Sequence, residues 1–168
     1  MINVAILIIS DKSYQGSRED LCGPALTEAL APYSNVSLIQ ILPDDFEKIK
    51  NALAHLADAG EHDIIFTSGG TGLAPRDLTP EATLAVVERL APGIPEAMRA
   101  ASQKITPRAM LSRAVAGVRA KTLIINLPGS PRAALENLQV FLPTLEHAVE
   151  TLCGDAHECA SASTLPNG

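Results

Sequence analysis

Short runs of apolar, β-branched residues alternate along the chain with longer segments in which apolar residues recur every three or four positions. This alternation is typical of a parallel or mostly parallel sheet that is covered by helices on both faces. The apolar runs predict strands over residues 4–10, 37–42, 62–67, 114–118 and 122–127. The three-to-four spacing predicts helices over residues 23–31, 45–59, 79–90, 94–105, 131–141 and 143–152. The predicted fold class is therefore α/β.

One domain accounts for the patterned part of the chain. The 168 residues, 46% of them hydrophobic, suffice for one core, and neither an internal repeat nor an interior linker interrupts the pattern. Beyond Gly154 the sequence turns to Ala, Ser, Cys and Thr without periodicity. We therefore predict a domain over residues 1–153 and a disordered tail over residues 154–168.

Composition and charge argue against several classes of function. The net charge of −6 and the scarcity of aromatic residues (two Tyr, three Phe, no Trp) disfavour nucleic-acid binding, which needs a basic face and stacking platforms. The longest apolar run, residues 4–9, is too short to cross a membrane, and no signal peptide is recognisable at the N-terminus. Three cysteines are too few for a disulfide framework and indicate reduced thiols, which predicts a cytoplasmic protein.

The most informative segment follows the third predicted strand, where residues 68–72 read Ser-Gly-Gly-Thr-Gly. Three glycines in four residues allow backbone N–H groups to converge on a bound anion, and parallel sheets bind ligands at the carboxyl ends of their strands. The segment is not a Walker A loop, because no Gly-Lys-Ser/Thr follows it. A tight turn without a ligand would use the same glycines, so both interpretations stay open.

A second strand-to-helix junction has similar properties. Residues 126–131 read Asn-Leu-Pro-Gly-Ser-Pro, which places a glycine and the free N–H groups of a helix N-terminus directly after a strand. Ser130 is equally suited to capping its helix and to contacting a ligand.

Two carboxylates lie where magnesium-dependent chemistry would need them. Asp44 directly follows the second predicted strand and Asp77 ends the glycine-rich segment, so both belong to the same rim of the sheet. Mg²⁺ prefers oxygen ligands and commonly uses one or two carboxylates together with phosphates and water. The alternatives are structural: Asp44 and Asp45 would stabilise a helix N-terminus, and Asp77 would form a turn. Four basic residues could bind phosphate or be solvated surface, namely Arg99, Lys104, Arg108 and Arg113.

Four segments together resemble a known family. They are Ser-Gly-Gly-Thr-Gly-Leu-Ala-Pro-Arg-Asp-Leu-Thr-Pro-Glu-Ala-Thr at residues 68–83, Pro-Gly-Ile-Pro-Glu-Ala-Met-Arg at 92–99, Leu-Ser-Arg at 111–113 and Leu-Pro-Gly-Ser-Pro at 127–131. The chain resembles the molybdenum-cofactor biosynthesis family from its first strand to about residue 152.

This resemblance implies a three-layer α/β/α sandwich, usually a homotrimer, that transfers AMP from Mg-ATP to the terminal phosphate of molybdopterin and releases pyrophosphate. It places the family's two essential aspartates, which would hold Mg²⁺, on Asp44 and Asp77. Asp45 is the neighbouring alternative, but the position after Leu-Pro favours Asp44. The resemblance further implies contacts to nucleotide or pterin from Ser68, Gly69, Gly70, Thr71, Gly72, Arg76, Glu96, Ser112, Pro128, Gly129 and Ser130.

The resemblance and the residues agree on the kind of chemistry. No pattern for a Ser, Cys or His nucleophile is present, so catalysis would consist of positioning and charge neutralisation, with the substrate phosphate as the attacking group. The alternatives are a pterin-binding module without transferase activity and a trimeric scaffold of the same fold. Molybdopterin, ATP and other proteins of the same biosynthetic route are the partners that the resemblance implies.

Overall fold

The computed structural model describes residues 1–154, and the tail predicted from the sequence lies, apart from Gly154, outside this range. The strands are β1 (Ile2–Ile9), β2 (Ser34–Leu42), β3 (Ile64–Ser68), β4 (Arg89–Leu90), β5 (Ala116–Arg119) and β6 (Thr122–Leu127). The helices are α1 (Asp11–Tyr14), α2 (Cys22–Leu30), α3 (Phe46–Ala59), α4 (Thr79–Leu84), α5 (Gly93–Gln103), α6 (Pro131–Phe141) and α7 (Leu145–Cys153). Two short 3₁₀ turns complete the described part, Pro107–Leu111 and Leu142–Thr144.

The six strands form one sheet in the order β2-β1-β3-β6-β5-β4. The pairs β1 with β2, β1 with β3 and β3 with β6 are parallel, whereas β5 runs antiparallel to both of its neighbours. The prediction of a mostly parallel sheet is confirmed. The antiparallel turn between β5 and β6 arises because only Ala120 and Lys121 separate them, which is too short for a parallel crossover.

The two faces of β1 bury different sets of side chains. Val4, Ile6 and Ile8 pack into one core with α2, α5, α6 and α7, while Ala5 and Leu7 on the opposite face join a second core with α3 and α4. Successive side chains of a strand point to opposite faces, so a central strand covered on both sides must be apolar at every position. The result is the expected three-layer α/β/α sandwich.

The helix α3 shows how local sequence sets an element's limits. The side chain of Asp45 accepts a hydrogen bond from the Lys48 backbone N–H at 2.9 Å and caps the start of the helix. The helix ends at Gly60, whose left-handed φ of 68° suits a residue without Cβ. Its buried positions are Ile49, Leu53 and Ala57, which are spaced by four and lie on one face.

Three sequence predictions need correction. The helix predicted over residues 79–90 ends at Leu84, because Arg89–Leu90 leaves the helical path and pairs with β5 as an edge strand. The segment between β1 and the helix predicted over residues 23–31, for which the pattern predicts no element, contains the short helix α1, whose N-cap Ser10 accepts a hydrogen bond from the Ser13 backbone N–H. The last predicted helix is preceded by a 3₁₀ turn and begins at Leu145.

The strand order places a crevice at a defined point. The chain leaves β1 toward β2 on one side and then crosses to β3 on the other side of β1. Connections that diverge from neighbouring strands leave an opening at the carboxyl ends, where ligands of α/β sheets bind. The opening in this fold lies between β1 and β3.

Candidate active site

A cleft of 690 Å³ lies at this opening. Its lining comes from the segments that follow four strands: residues 10–13 and 18–22, Asp44, residues 68–70 and Asp77, and residues 129–131. The structure thus brings together both predicted aspartates, the first part of the glycine-rich segment and the turn with Gly129 and Ser130.

The backbone of the glycine-rich segment tolerates no side chain at two positions. Gly69 has a φ of 113°, and a Cβ there would lie 2.2 Å from the carbonyl oxygen of Ile9. Gly70 has a φ of 64°, and a Cβ there would lie 2.3 Å from Oγ1 of Thr79 and 3.3 Å from Oδ1 of Asp44. Gly69 is therefore required by the close approach of the β1 backbone and Gly70 by the close approach of two side chains, and both are required by their conformation. The approach brings the floor of the cleft against β1 and against Asp44.

The two strand-to-helix junctions touch each other. Ser68 donates a hydrogen bond from Oγ to the carbonyl oxygen of Pro128 at 2.9 Å, and the Gly69 N–H donates to the carbonyl of Leu127 at 3.1 Å. A Cβ on Gly129 would lie 3.1 Å from the Cα of Gly69. The two loops form one continuous wall because β3 and β6 are adjacent and in register.

Asp44 and Asp11 hold each other's backbone. The Asp11 N–H donates to Oδ2 of Asp44 at 2.9 Å, and the Asp44 N–H donates to Oδ1 of Asp11 at 3.1 Å. This reciprocal pair joins the ends of β1 and β2. Oδ1 of Asp44 accepts no hydrogen bond from a residue of the described chain and remains available toward Gly70.

Asp44 and Asp11 have electrostatic surroundings that shift their pKa values in opposite directions. Burial raises the pKa of Asp44 above its usual value, and the carboxylates of Asp11 and Asp77 raise it further, against the hydrogen bond from the Asp11 N–H. The hydrogen bonds from Arg76 lower the pKa of Asp11. A cation bound beside Asp44 would relieve the repulsion among the three carboxylates.

Asp77 closes a turn and still presents an oxygen. Its Oδ2 accepts a hydrogen bond from the Ala74 N–H at 2.9 Å, while its Oδ1 has no partner within residues 1–154. The preceding residue, Arg76, reaches across to Asp11 with Nε–Oδ2 and Nη2–Oδ1 distances of 2.7 and 2.9 Å.

Asp45, in contrast, is exposed and caps α3. The geometry therefore assigns Asp44 to the cleft and Asp45 to the helix.

The donor set suits a hard divalent cation. The free oxygens of Asp44 and Asp77 lie on one cleft, and the fully buried Oγ1 of Thr79 beside Gly70 has no hydrogen-bond partner in the described residues. Mg²⁺ is commonly held by one or two carboxylates and completes its shell with water and phosphate. Within residues 1–154 no group of three or more His, Cys, Asp or Glu side chains is arranged around a common metal position.

Other predicted contact residues lie outside the main cleft. Thr71, Gly72, Ser112 and Pro128 line a second cavity of 270 Å³ on the far side of the glycine-rich segment. Arg76 lines neither cavity, because its guanidinium pairs with Asp11. Glu96 is exposed in the first turn of α5 and also lines neither cavity.

Sequence reasoning missed some residues of the site. Asp11 follows β1 closely, as Asp44 follows β2, so the rule that singled out Asp44 would have found it. Asp20 lines the cleft, and its carboxylate accepts hydrogen bonds from the N–H groups of Cys22 and Gly23 at the start of α2. Arg113, which the sequence left undecided, points into the protein and binds the glycine-rich segment. Only this last contact has no local signal in the sequence.

Comparisons with known proteins agree with this geometry. A family model described as a probable molybdopterin binding domain matches residues 5–147. The chain is 40% identical over 157 residues to the molybdopterin adenylyltransferase of Helicobacter pylori (strain J99), covering 92% of this chain and 89% of that protein. It is 38% identical over 141 residues to the molybdopterin adenylyltransferase of Escherichia coli (strain K12), covering 82% of this chain and 72% of that protein.

Solved structures share the fold. The chain superposes with a TM-score of 0.87 and 48% identity on a molybdopterin biosynthesis enzyme, MoaB, from Thermus thermophilus, covering 92% of this chain and 98% of that one. A structure of MogA has a TM-score of 0.84 with 38% identity, covering 89% and 99% of the two chains.

No helix in the described part is long and apolar enough to cross a membrane.

Proposed function

This chain belongs to the family of the probable molybdopterin binding domain, and from that premise we propose that it is a molybdopterin adenylyltransferase. It transfers AMP from ATP to the terminal phosphate of molybdopterin and gives adenylyl-molybdopterin and pyrophosphate. The observation that carries the proposal is the pair of free carboxylate oxygens of Asp44 and Asp77 on one cleft, beside a glycine segment whose conformation excludes side chains.

The reaction is a single in-line displacement. A phosphate oxygen of molybdopterin attacks the α-phosphorus of ATP, the new P–O bond forms, and the bond to the β-phosphate breaks with pyrophosphate as leaving group. Asp44 and Asp77 would hold Mg²⁺, which when bound neutralises phosphate charge. Because Gly69 and Gly70 have no Cβ, their backbone can pack against Ile9 and Thr79 in the conformation that places it on the wall of the cleft. The protein's contribution is positioning and charge stabilisation.

A covalent enzyme intermediate is not part of the proposal. Cys22 is the thiol that lines the cleft, and its Sγ donates to the carbonyl oxygen of Gly129 at 3.3 Å. Burial raises the pKa of this thiol, so the protonated form predominates at neutral pH. A thiol in this state is a poor nucleophile, which favours direct attack by the substrate.

The test is an assay of the purified chain with molybdopterin and ATP. We expect pyrophosphate release that depends on both substrates and on Mg²⁺, with one adenylylated pterin formed for each pyrophosphate. Binding of molybdopterin without pyrophosphate release would favour a pterin-binding module instead.

We also propose a homotrimer in the cytoplasm that meets other proteins of the same biosynthetic route. The trimer follows from the family resemblance, and a closed cyclic ring is an ordinary arrangement for identical subunits. The free thiols of Cys22 and Cys153 suit a reducing compartment. Sedimentation at micromolar concentration tests the trimer, and a monomer there would contradict it.

A further inference from the structure

Arg113 binds the loop between β3 and α4, residues 69–78, at its middle and near its end. Its backbone N–H donates to the carbonyl of Thr71 at 2.9 Å, and its Nε donates to the carbonyl of Gly72 at 2.7 Å. One terminal nitrogen donates to the carbonyl of Asp77, and the other to a carboxylate oxygen of Glu81. The Arg113 side chain thus connects the middle of the loop, its end and the first turn of α4.

Near its ends this loop is also held by backbone hydrogen bonds, from the Gly69 N–H to the carbonyl of Leu127 and from the Thr79 N–H to the carbonyl of Gly70. Between β3 and α4 the chain has no regular secondary structure, and the N-cap of α4, Leu78, provides no side-chain hydrogen bond. The loop closes on itself through the Ala74 N–H and the Asp77 carboxylate, and it is tied to α1 by Arg76, whose side chain is 65% exposed. Arg113 is better shielded, with 33% of its side chain exposed.

The contacts need the shape of a guanidinium. Its planar fork directs Nε and the two terminal nitrogens toward three acceptors that lie around one plane, whereas a lysine ammonium is a single point on a flexible stem. Glu81 supplies the compensating charge. Burial raises the pKa of Glu81, but the hydrogen bond and charge of Arg113 lower it overall, so the pair is ionised at neutral pH.

Holding the two carbonyls also sets the orientation of the peptide groups. In a trans peptide the N–H points opposite to the carbonyl of the preceding residue. With the carbonyls of Gly72 and Asp77 turned to Arg113, the N–H groups of Leu73 and Leu78 point away from it. Arg113 holds the backbone of Asp77 through its carbonyl, and the Ala74 N–H holds the Asp77 carboxylate on that backbone.

We propose that Arg113 is a positioning residue for adenylyl transfer, which rests on the proposed function: it holds the carbonyls of Gly72 and Asp77 and thereby fixes the Asp77 carboxylate opposite Asp44. It acts through the loop and contacts no reacting atom. Removing it loosens the loop while the sheet and its cores stay folded.

The chain offers a matched control in Arg119. This residue also binds one carboxylate, Asp58, with both distances 2.8 Å, and one carbonyl, that of Val86 at 3.0 Å. Its side chain is 26% exposed, close to the value for Arg113, and neither arginine lines the cleft. Arg119→Ala removes a comparable set of contacts without touching the glycine-rich segment.

The experiment compares Arg113→Ala, Arg113→Lys and Arg119→Ala with the wild type, well below the unfolding temperature of each. Hydrogen exchange of the backbone amides over residues 72–79 is the first measurement and does not depend on activity. We expect Arg113→Ala to exchange there at least about tenfold faster and to leave β1 and β3 unchanged. Steady-state adenylyl transfer is the second measurement, for which we expect kcat to fall by about 100-fold in Arg113→Ala.

The remaining arms separate positioning from general stabilisation. Arg113→Lys should stay close to Arg113→Ala, and added ethylguanidinium should restore part of kcat in Arg113→Ala but change nothing in Arg119→Ala. Equal kcat values for Arg113→Ala and Arg119→Ala would overturn the proposal. Unchanged exchange over residues 72–79 in Arg113→Ala would overturn it even if the wild type is active. A wild type that releases no pyrophosphate would overturn the proposed function and this role with it, while faster exchange would still establish the anchor.

Discussion

The two junctions that follow β3 and β6 start alike and are held in different ways. Both leave neighbouring parallel strands in register, with Ser68 paired to Leu127, and both enter a helix that carries a proline in its first turn, Pro80 or Pro131. The β6 junction is completed locally, because the Ser130 hydroxyl accepts a hydrogen bond from the Ala133 N–H at 3.2 Å. The β3 junction has no such cap and depends on partners elsewhere in the chain.

The way in which each junction is held affects which of its polar groups remain free. The short β6 junction satisfies its own helix and leaves few groups for another task. The longer β3 junction is fixed by Arg113 from one side and by Asp11, through Arg76, from the other. Its own carboxylate, Asp77, therefore keeps one oxygen free toward the cleft. Because side chains from other parts of the chain hold this loop, we infer that its own carboxylate can serve the candidate site.

The largest effect should come from neutralising the free carboxylates. We expect Asp77→Asn and Asp44→Asn each to lower kcat for pyrophosphate release by about 1000-fold, because the lost carboxylate would weaken binding of the Mg²⁺ that neutralises phosphate charge. Asp45→Ala is the control and should cost about 1 kcal/mol of stability as a lost helix cap, with kcat retained. An inactive Asp45→Ala beside an active Asp44→Asn would show that the first acid is assigned to the wrong residue.

The next effect should appear in stability and distinguish the two junctions directly. Gly69→Ala places a Cβ against the carbonyl of Ile9 at a positive φ, and we expect a loss of about 3 kcal/mol or more in the free energy of unfolding. Gly129→Ala meets only the Cα of Gly69 at 3.1 Å and should cost about 1 kcal/mol. Denaturant unfolding measures both, and equal losses would show that the β3 junction is no tighter than its neighbour.

A smaller effect on the free energy of unfolding should distinguish the N-terminus of α4 from that of α6. Ser130→Ala removes a cap that is in use and should lower the free energy of unfolding by about 1 kcal/mol. Thr79→Val removes a buried hydroxyl that has no partner in the described residues, so no hydrogen bond is lost and stability should be unchanged or higher. Thermal unfolding of the two variants at equal protein concentration checks the order, and a larger loss in Thr79→Val would contradict it.

The smallest effects should be those that depend on pH. Asp44 has a raised pKa in the folded state, so its ionisation costs stability above that pKa, and Asp44→Asn should be more stable than the wild type at pH 7. The advantage should disappear as the pH falls well below the usual aspartate value of 3.8, where the wild-type carboxyl is protonated in both states.

Asp11 and Ser130 provide the contrasts in the same titration. The lowered pKa of Asp11 means that its ionised form stabilises the fold above the unfolded pKa, so Asp11→Asn should be less stable than the wild type at pH 7. That deficit should vanish as the pH falls through the folded pKa. The deficit of Ser130→Ala should stay constant, because its cap is uncharged. Unfolding curves from acid to neutral pH measure how much each of the three variants differs from the wild type in the free energy of unfolding. The same pH dependence for all three variants would contradict this prediction.

Much of the fold follows from patterns that extend over a few residues. The bounds of β6 agree with its apolar run, and Ser130 and Asp45 cap helices where the sequence places polar residues before them. The edge strand β4 could not be predicted in the same way. Its two residues have no strand pattern of their own and are ordered by hydrogen bonds to β5.

In the candidate site, too, local patterns predicted some positions and not others. The position of Asp44 and Asp77 on one rim followed from the rule that parallel strands end at the same edge, and the structure brings both to one cleft. The contacts predicted for Glu96 and Ser112 were not brought to that cleft. Side chains on different helices approach one another only as the helices pack, and no local rule gives that arrangement.

The sequence alone therefore determined the α/β class and the rim that carries the acids, because each depends on the period of apolar residues or on a strand's direction. Only the tertiary structure decided that Arg113 binds the loop from 36 residues away and that Asp44 and Asp11 shift their pKa values in opposite directions. Hydrogen bonding and charge interaction depend on distances of a few ångströms, and those distances are set by the packing of the whole chain.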